Sequence, residues 1–292
     1  MMKGFKSVGV LVFLSVLLPS ALLWAGHVVT DEDREWAKEA LKREAALKGV
    51  ASTNTVAVLY FRNETGDSAI DPLSKGLALM LISDLSQVPG LKVVERVKLQ
   101  ALLEEMGLGA SGLVEPGTAP RVGRLLRAYW LIEGTLEGAK DRLRALSDLF
   151  AVPRESVVGR PSAQGSLEEV FELEKSLLFS ILRYLKVKLT TELEEQLRKY
   201  PTRDVRALMA YFRGIGAADR GDYRKARSFF QEALGFDPKF IWPQQALEEL
   251  RTLEGRRPLV RDFLWSIRED TSVTDSLSTE PTKRKRPLGR GK

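Results

Sequence analysis

The sequence predicts an α/β domain, a small mixed sheet with flanking helices, followed by an α-helical region built around a helical hairpin. Three observations carry this. Val56 to Phe61 is a β-branched, aliphatic and aromatic run with no polar break, the pattern of a strand buried on both faces. Behind it, Leu73, Leu77, Met80, Leu81 and Leu85 recur at three- and four-residue spacing, and Leu91 to Val94 reads as a second short strand after Pro89 and Gly90. From Ser166 onward the helical period dominates, and residues 207–240 carry small, aromatic and proline residues at fixed spacing.

In chain order, Lys3 and Lys6 precede the apolar run Val8 to Leu18, and Pro19, Ser20, Ala25 and Gly26 follow. That is a secretory signal peptide over 1–25, with cleavage expected after Ala25. The apolar stretch falls short of the roughly 20 residues a spanning helix needs. The alternative is an uncleaved inner-membrane anchor, and either way the rest of the chain is expected outside the cytoplasm. Residues 26–53 read as a charged helix and linker. The stretch 31–49 has an acidic first turn, Lys48 in its last turn and Gly49 as its stop, the order that the helix dipole favours.

The α/β domain is expected over 54–165. Asn63, Gly66, Asp67 and Ser68 supply a turn, Asp71 caps the next helix, and Pro72 suits a first helical position. Val97 to Met106 reads as a second helix, 107–117 as a Gly-rich loop, and Thr118 as the cap of a third helix reaching Arg127. Tyr129 to Leu136 reads as a strand. Leu143 to Val152 fits either an antiparallel strand or a helix, and Pro153 to Gly165 reads as a loop or boundary. In the helical region, 166–255, Ser166 and Glu169 form a capping box, and Leu167 to Leu185 keeps a helical period. Helices follow from Thr191 to before Pro201, Asp204 to Ala218, Tyr223 to Leu234 and Pro243 to Leu253. Residues 256–292 form a basic tail expected to be disordered.

A chain of 292 residues with 44% hydrophobic content can bury a proper core. It has no cysteine, which excludes disulfides, thiolate metal sites and a bacterial lipid anchor. The single histidine, His27, stands beside the processing site, so a Ser-His-Asp triad or histidine metal site in the mature chain is not expected. Six of the 45 basic residues fall in the last twelve positions, which hold no acid. That leaves 39 to set against 39 acids in the other 280 residues. A neutral body with a basic tail is not the footprint of a nucleic-acid-binding fold, although the tail fits weak peripheral contact with anionic lipid.

Gly107, Gly109 and Gly112 spell G-x-G-x-x-G, but they leave a helix rather than a strand, so they read as a helix C-cap and loop. No P-loop or G-x-S-x-G elbow occurs, and Ser74, Ser83 and Ser86 have no base nearby. Glu64, Asp67 and Asp71 lack the ligand spacing of a calcium loop and read as turn and cap residues. The stronger signal is the 34-residue spacing of a tetratricopeptide repeat over 207–240, with Gly214, Ala226, Phe230, Ala233 and Pro238 in its small, aromatic and exit positions. Ala210, Arg213 and Ala217 stand where that pattern usually has tryptophan, leucine and tyrosine. One repeat cannot bury its own faces and must pack on neighbouring helices or another subunit.

The turn from Phe61-Arg62-Asn63 to Gly66-Asp67, with Gly76-Leu77, Val94-Glu95-Arg96 and Gly134-Thr135, resembles the CsgG-type and TolB amino-terminal-like domains of bacterial envelope proteins, over about residues 54–190. The resemblance implies a small α/β domain outside the cytoplasm that works by protein–protein contact rather than catalysis. Without cysteine or alternating lipid-facing strands, the chain is not expected to form a pore. The expected function is therefore a non-enzymatic periplasmic scaffold or accessory protein in envelope assembly or secretion, with no cofactor. Its partner would be an envelope protein or peptide, or a second copy, with Tyr211, Phe212, Tyr223, Arg224 and Phe229 as candidate contacts on the helical region. The alternative is a periplasmic sensor binding a nucleotide- or sugar-like molecule near Asn63, Thr65 and Asp67, at the carboxyl ends of the strands.

Overall fold

The computed structural model describes residues 26–47, 52–108, 114 and 117–256. The predicted signal peptide (1–25), Gly49, Gly109, Gly112 and residues 257–292 of the predicted basic tail lie outside these residues. The sheet contains β1 (Thr55–Val58), β2 (Arg62–Asn63), β3 (Lys92–Val93), β4 (Trp130–Ala139), β5 (Arg142–Ala151), β6 (Ser156–Gly159) and β7 (Ser162–Gly165). Its order is β3-β1-β4-β5, with β6 and β7 both on the far edge of β5 and β2 on β4. β1 runs parallel to β3 and β4, while β4 and β5 pair antiparallel from Trp130–Ala151 to Ala139–Arg142. The sheet is mixed, and the helical region follows it, as the sequence predicts.

Helices α1 (Asp31–Lys42), α2 (Asp71–Leu85), α3 (Arg96–Glu105) and α4 (Ala119–Leu125) belong to the first part. The helical region holds α5 (Val170–Tyr184), α6 (Thr191–Leu197), α7 (Val205–Asp219), α8 (Tyr223–Phe236) and α9 (Ile241–Arg256). Its starts are chemically legible: Thr190, Asp204 and Asp222 each accept a backbone N–H of the first turn, and Ser166 and Glu169 exchange reciprocal bonds ahead of α5.

Several expectations are corrected. Helix α1 ends at Lys42 and gives way to a short 3-10 turn at Glu44–Ala46. The segment around it is no free linker: Val28, Val29 and Ala37 are buried, and Lys98 of α3 lies over the Trp36 ring. Asp71 is the first residue of α2 rather than its cap; its Oδ1 accepts from Asn63 Nδ2 at 2.7 Å. Thr118 makes no side-chain cap. The stretch Pro153 to Gly165 is not a loop. After Glu155 in a left-handed conformation (φ 48°), β6 and β7 cover the edge that ten-residue β5 would otherwise leave unpaired.

The largest departure concerns α2. The leucine spacing predicts one apolar face, yet eleven of its fifteen residues are buried, including Ser74, Gly76 and Asp84. A helix buried nearly all round has partners on every side. Here β1 lies on one side, α5 on a second and α7 on a third. Gly76 makes the last contact possible: a Cβ there would stand 2.1 Å from the Phe212 ring of α7. Toward α5, Lys175 pairs with Asp84, and the fully buried Glu174 lies 3.3 Å from Lys175 Nζ. Helix α2 thus joins the sheet and the helical region into one body.

Candidate functional site

The junction around α2 holds a buried polar network and, beside it, a cavity. Arg96 is fully buried at the start of α3. Its Nη1 donates to both carboxylate oxygens of Asp219 at 3.0 and 3.1 Å and to Tyr60 Oη at 3.3 Å, and its Nη2 donates to the His27 carbonyl at 2.6 Å. Lys75 Nζ donates to Asp219 Oδ2 at 2.6 Å and to Gln100 Oε1 at 3.0 Å. One carboxylate at the end of α7 thus holds cations from α2 and α3. Burial works against the Arg96 charge, and Asp219 overrides it, holding the guanidinium above its ordinary value. Burial lowers Lys75 and raises the Tyr60 phenol.

The network continues through the first described residues. His27 Nδ1 is 2.6 Å from Tyr211 Oη, and Nε2 is 3.2 Å from Gln245 Oε1. Glu249 of α9 accepts the backbone N–H groups of His27 and Val28, both at 2.8 Å. Tyr211 also sits among the rings of Phe212, Phe230, Phe240 and Trp242, with centroids 5.4 to 5.8 Å away. The enclosed arrangement fixes positions and exposes no reacting atom.

Burial pulls His27 down to about 4. A histidine depressed in the fold binds its proton more readily when unfolded, so its contribution is present above pH 6.5 and is lost as pH falls toward 4. Glu249 has the opposite sign: burial raises it against its two N–H bonds, so its contribution fades as pH rises above the usual carboxylate range. Urea unfolding of the full chain at pH 4.5 and pH 7 is expected to show a His27-dependent loss at the lower pH, up to about 3 kcal/mol. His27→Gln should flatten that part of the profile; an unchanged slope would show that His27 is not held neutral.

The neighbouring cavity, about 560 Å³, lies where the start of α2 meets α7 and α8. Phe212, Phe229 and Pro72 give it apolar walls, and Lys75, Arg213, Arg220 and Lys225 bring four cationic side chains to it. The Arg213 guanidinium stacks 4.9 Å from the Phe229 ring centre and pairs with Glu232 at 2.8 Å. Among the described residues Asp71 is the only carboxylate lining it, and its Oδ1 accepts from Asn63.

The predicted contact residues separate accordingly. Tyr211 and Phe212 are turned inward, 0% and 1% exposed, because α7 packs on α2 as well as α8; they form no outer surface. Tyr223 is half-buried against Arg34 of α1, Arg224 faces solvent, and only Phe229 and the edge of Phe212 reach the cavity. Asn63 lines it too, whereas Thr65 and Asp67 are used up in the turn: Thr65 bonds Asn63 Oδ1, and Asp67 accepts from Ala69 N and pairs with Lys140. Gly107, at φ 78°, closes α3 as a C-cap. Among the described residues no three His, Asp or Glu side chains converge as a metal site.

Gly214 faces Phe230 so closely that a Cβ would stand 2.3 Å from the ring, and Ala226, Phe230 and Ala233 are fully buried at the α7–α8 crossing. Pro238 stands exposed in the turn before α9. Sequence reasoning marked Arg96 only as a motif residue and missed its pairing with Asp219 and the cationic strip of α7. The available signal for the strip was Arg213, Gly216 and Arg220 at i, i+3 and i+7, one face of a helix.

The profile of the family described as curli production assembly/transport component CsgG matches residues 38–141. A curated protein named putative adenylate cyclase 3, from Rhizobium meliloti, is 27% identical over 145 residues, 49% of this chain; the chain spans about a fifth of that relative's length (22%). Among solved structures, the LpoB C-terminal domain from Salmonella enterica is 15% identical, with a TM-score of 0.34, covering 46% of this chain and 94% of that one. The Escherichia coli LpoB C-terminal domain is 16% identical with a TM-score of 0.32, covering 45% and 98%.

Proposed function

We propose that the protein is a non-enzymatic, envelope-associated scaffold or accessory factor of the bacterial periplasm, acting through protein–protein contacts in envelope assembly or secretion. The observation that carries this is the CsgG profile over residues 38–141, which includes α2, α3 and all of β4. The wider likeness to TolB amino-terminal-like domains belongs to the same reading. The buried network supports it, since Arg96, Asp219, Lys75 and His27 are spent on holding elements together. The α7–α8 hairpin, with Gly214 against Phe230, serves as a tetratricopeptide-like interaction module, seated on α2 and α9 rather than on further repeats. Among the described residues no helix is long and apolar enough to cross a membrane.

The test is where the full chain resides and what it touches. Cell fractionation with N-terminal sequencing should return a terminus near Gly26 in the envelope or periplasmic fraction, and cross-linking in intact cells should join it to an envelope protein or to itself. A cytosolic chain retaining Met1 would overturn the reading. A second reading, a periplasmic sensor of a small ligand, is favoured by one observation: the 560 Å³ cavity reaches Asn63 and the start of α2. Thermal stabilisation of the purified chain by a member of a metabolite panel would favour the sensor over the scaffold.

A further inference from the structure

We infer that the cavity between α2, α7 and α8 is a docking site for an acidic peptide segment of a partner protein, presented with an apolar side chain between its carboxylates. This rests on the scaffold reading above and names the partner's chemistry. The first ground is charge. Four cationic side chains reach the cavity against the single carboxylate of Asp71, which is occupied by Asn63. Lys75 is engaged by Asp219 and Arg213 by Glu232, whereas Arg220 and Lys225 are exposed and make no ion pair among the described residues. Their charge is offered outward.

The second ground is spacing. Arg213 and Arg220 lie seven residues apart on α7, so about 10 Å separates them along the helix axis. That is the separation of their backbones; the Arg220 guanidinium itself reaches back to the Gly216 turn between them. An extended peptide rising about 3.3 Å per residue covers that distance in about three residues. Between the two arginines α7 carries Gly216, which adds no side chain of its own to the cavity wall. A Cβ at Gly216 would meet only Arg220 Nη1, at 3.5 Å, which is ordinary contact. The walls beside the strip, Phe229, Phe212 and Pro72, suit an aromatic or aliphatic side chain from the same peptide. The last twelve residues of the chain's own tail are excluded by sign, since they hold six cations and no acid. Residues 262–280 carry five acids and are the competing occupant; clearly tighter binding of the acidic pool by a chain ending at residue 256 would overturn the partner assignment in their favour.

The experiment is fluorescence polarisation on the full chain. One probe is a pool of fluorescein-labelled peptides in which Asp and Glu flank a central Phe; the control pool has Lys in place of the acids. The acidic pool is expected to bind and to weaken steeply with added salt, and the lysine pool is not. Arg220→Glu with Lys225→Glu should lose at least tenfold in affinity while keeping the melting temperature, because neither residue is buried or paired. Gly216→Leu, whose Cβ meets only Arg220 Nη1 at 3.5 Å, should lose a similar factor. Equal binding of both pools, or unchanged binding by the charge-reversed variant, would overturn the proposal. So would displacement of the acidic pool by AMP or inorganic phosphate at matched concentration, which would mark a small-anion site. Failure of binding in a chain that fractionates with the envelope would sink the docking site alone, and a cytosolic chain would sink the scaffold reading itself.

Discussion

Asp219→Ala is expected to lower the free energy of unfolding by about 3 to 5 kcal/mol, the usual cost of removing one partner of a buried ion pair. Asp219 has a fully buried side chain and is the acceptor shared by Arg96 and Lys75, so its removal leaves a fully buried guanidinium without its counter-ion. Urea denaturation at pH 7 measures this. Asp219→Asn, which keeps acceptor capacity but not charge, should fall between. A double variant, Arg96→Met with Asp219→Leu, should cost less than Asp219→Ala alone, because apolar side chains need no counter-charge. For scale, Asp204→Ala removes a half-buried helix cap and should cost about 1 kcal/mol. A loss at Asp219 no larger than that cap would show that the network does not hold the junction.

Gly76→Ala is the second large effect, and its sign is the informative part. In an exposed helix interior, alanine in place of glycine gains about 1 kcal/mol. At Gly76 the added Cβ meets the Phe212 ring at 2.1 Å, and that ring is itself buried among packed side chains. Overpacking of this kind costs about 1 to 3 kcal/mol, so after the alanine gain we expect a net loss of up to about 2 kcal/mol, read as a lower urea midpoint. Phe212→Leu should recover part of the loss in Gly76→Ala. Gly216→Ala on α7 is the matched control, expected to stabilise slightly because its Cβ meets only Arg220 Nη1 at 3.5 Å. If both variants gained stability, α2 and α7 would not be in the close contact described.

Much of the architecture was legible because it is written locally. The apolar run Val56 to Phe61, the helix punctuated by Pro72 and Pro89, the capping box at Ser166 and the small-residue spacing at Gly214 and Ala226 each carry their own signal. Missed features depend on distant partners. Arg96 and Asp219 are 123 residues apart, and neither stands in a spacing that announces the other. Val56–Phe61 declares a strand by itself, whereas Ser-Val-Val-Gly and Ser-Ala-Gln-Gly form strands only because β5 offers them an edge. Periodicity identified α7 as amphipathic but not as buried on two sides, which is why Tyr211 and Phe212 read as surface candidates. The resemblance motifs did mark structurally demanding positions: Gly76 admits Phe212, Arg96 anchors the network, and a Cβ at Gly134 would stand 2.4 Å from both the Leu146 carbonyl and the Phe61 ring. Their use is architectural; of the motif residues only Asn63 lines the cavity, which was not readable from them.

The hold on His27 and Val28 has a mechanical consequence. Glu249 grips two successive backbone N–H groups, and Arg96 grips the carbonyl of the first, so the chain enters the folded body at a riveted point. Tension applied from the N-terminal side would load α9 and the start of α3 before it reached any strand, and Asp219 would bear it next. A pull at that end is thereby shared between α9 and α3, which stands three residues beyond β3.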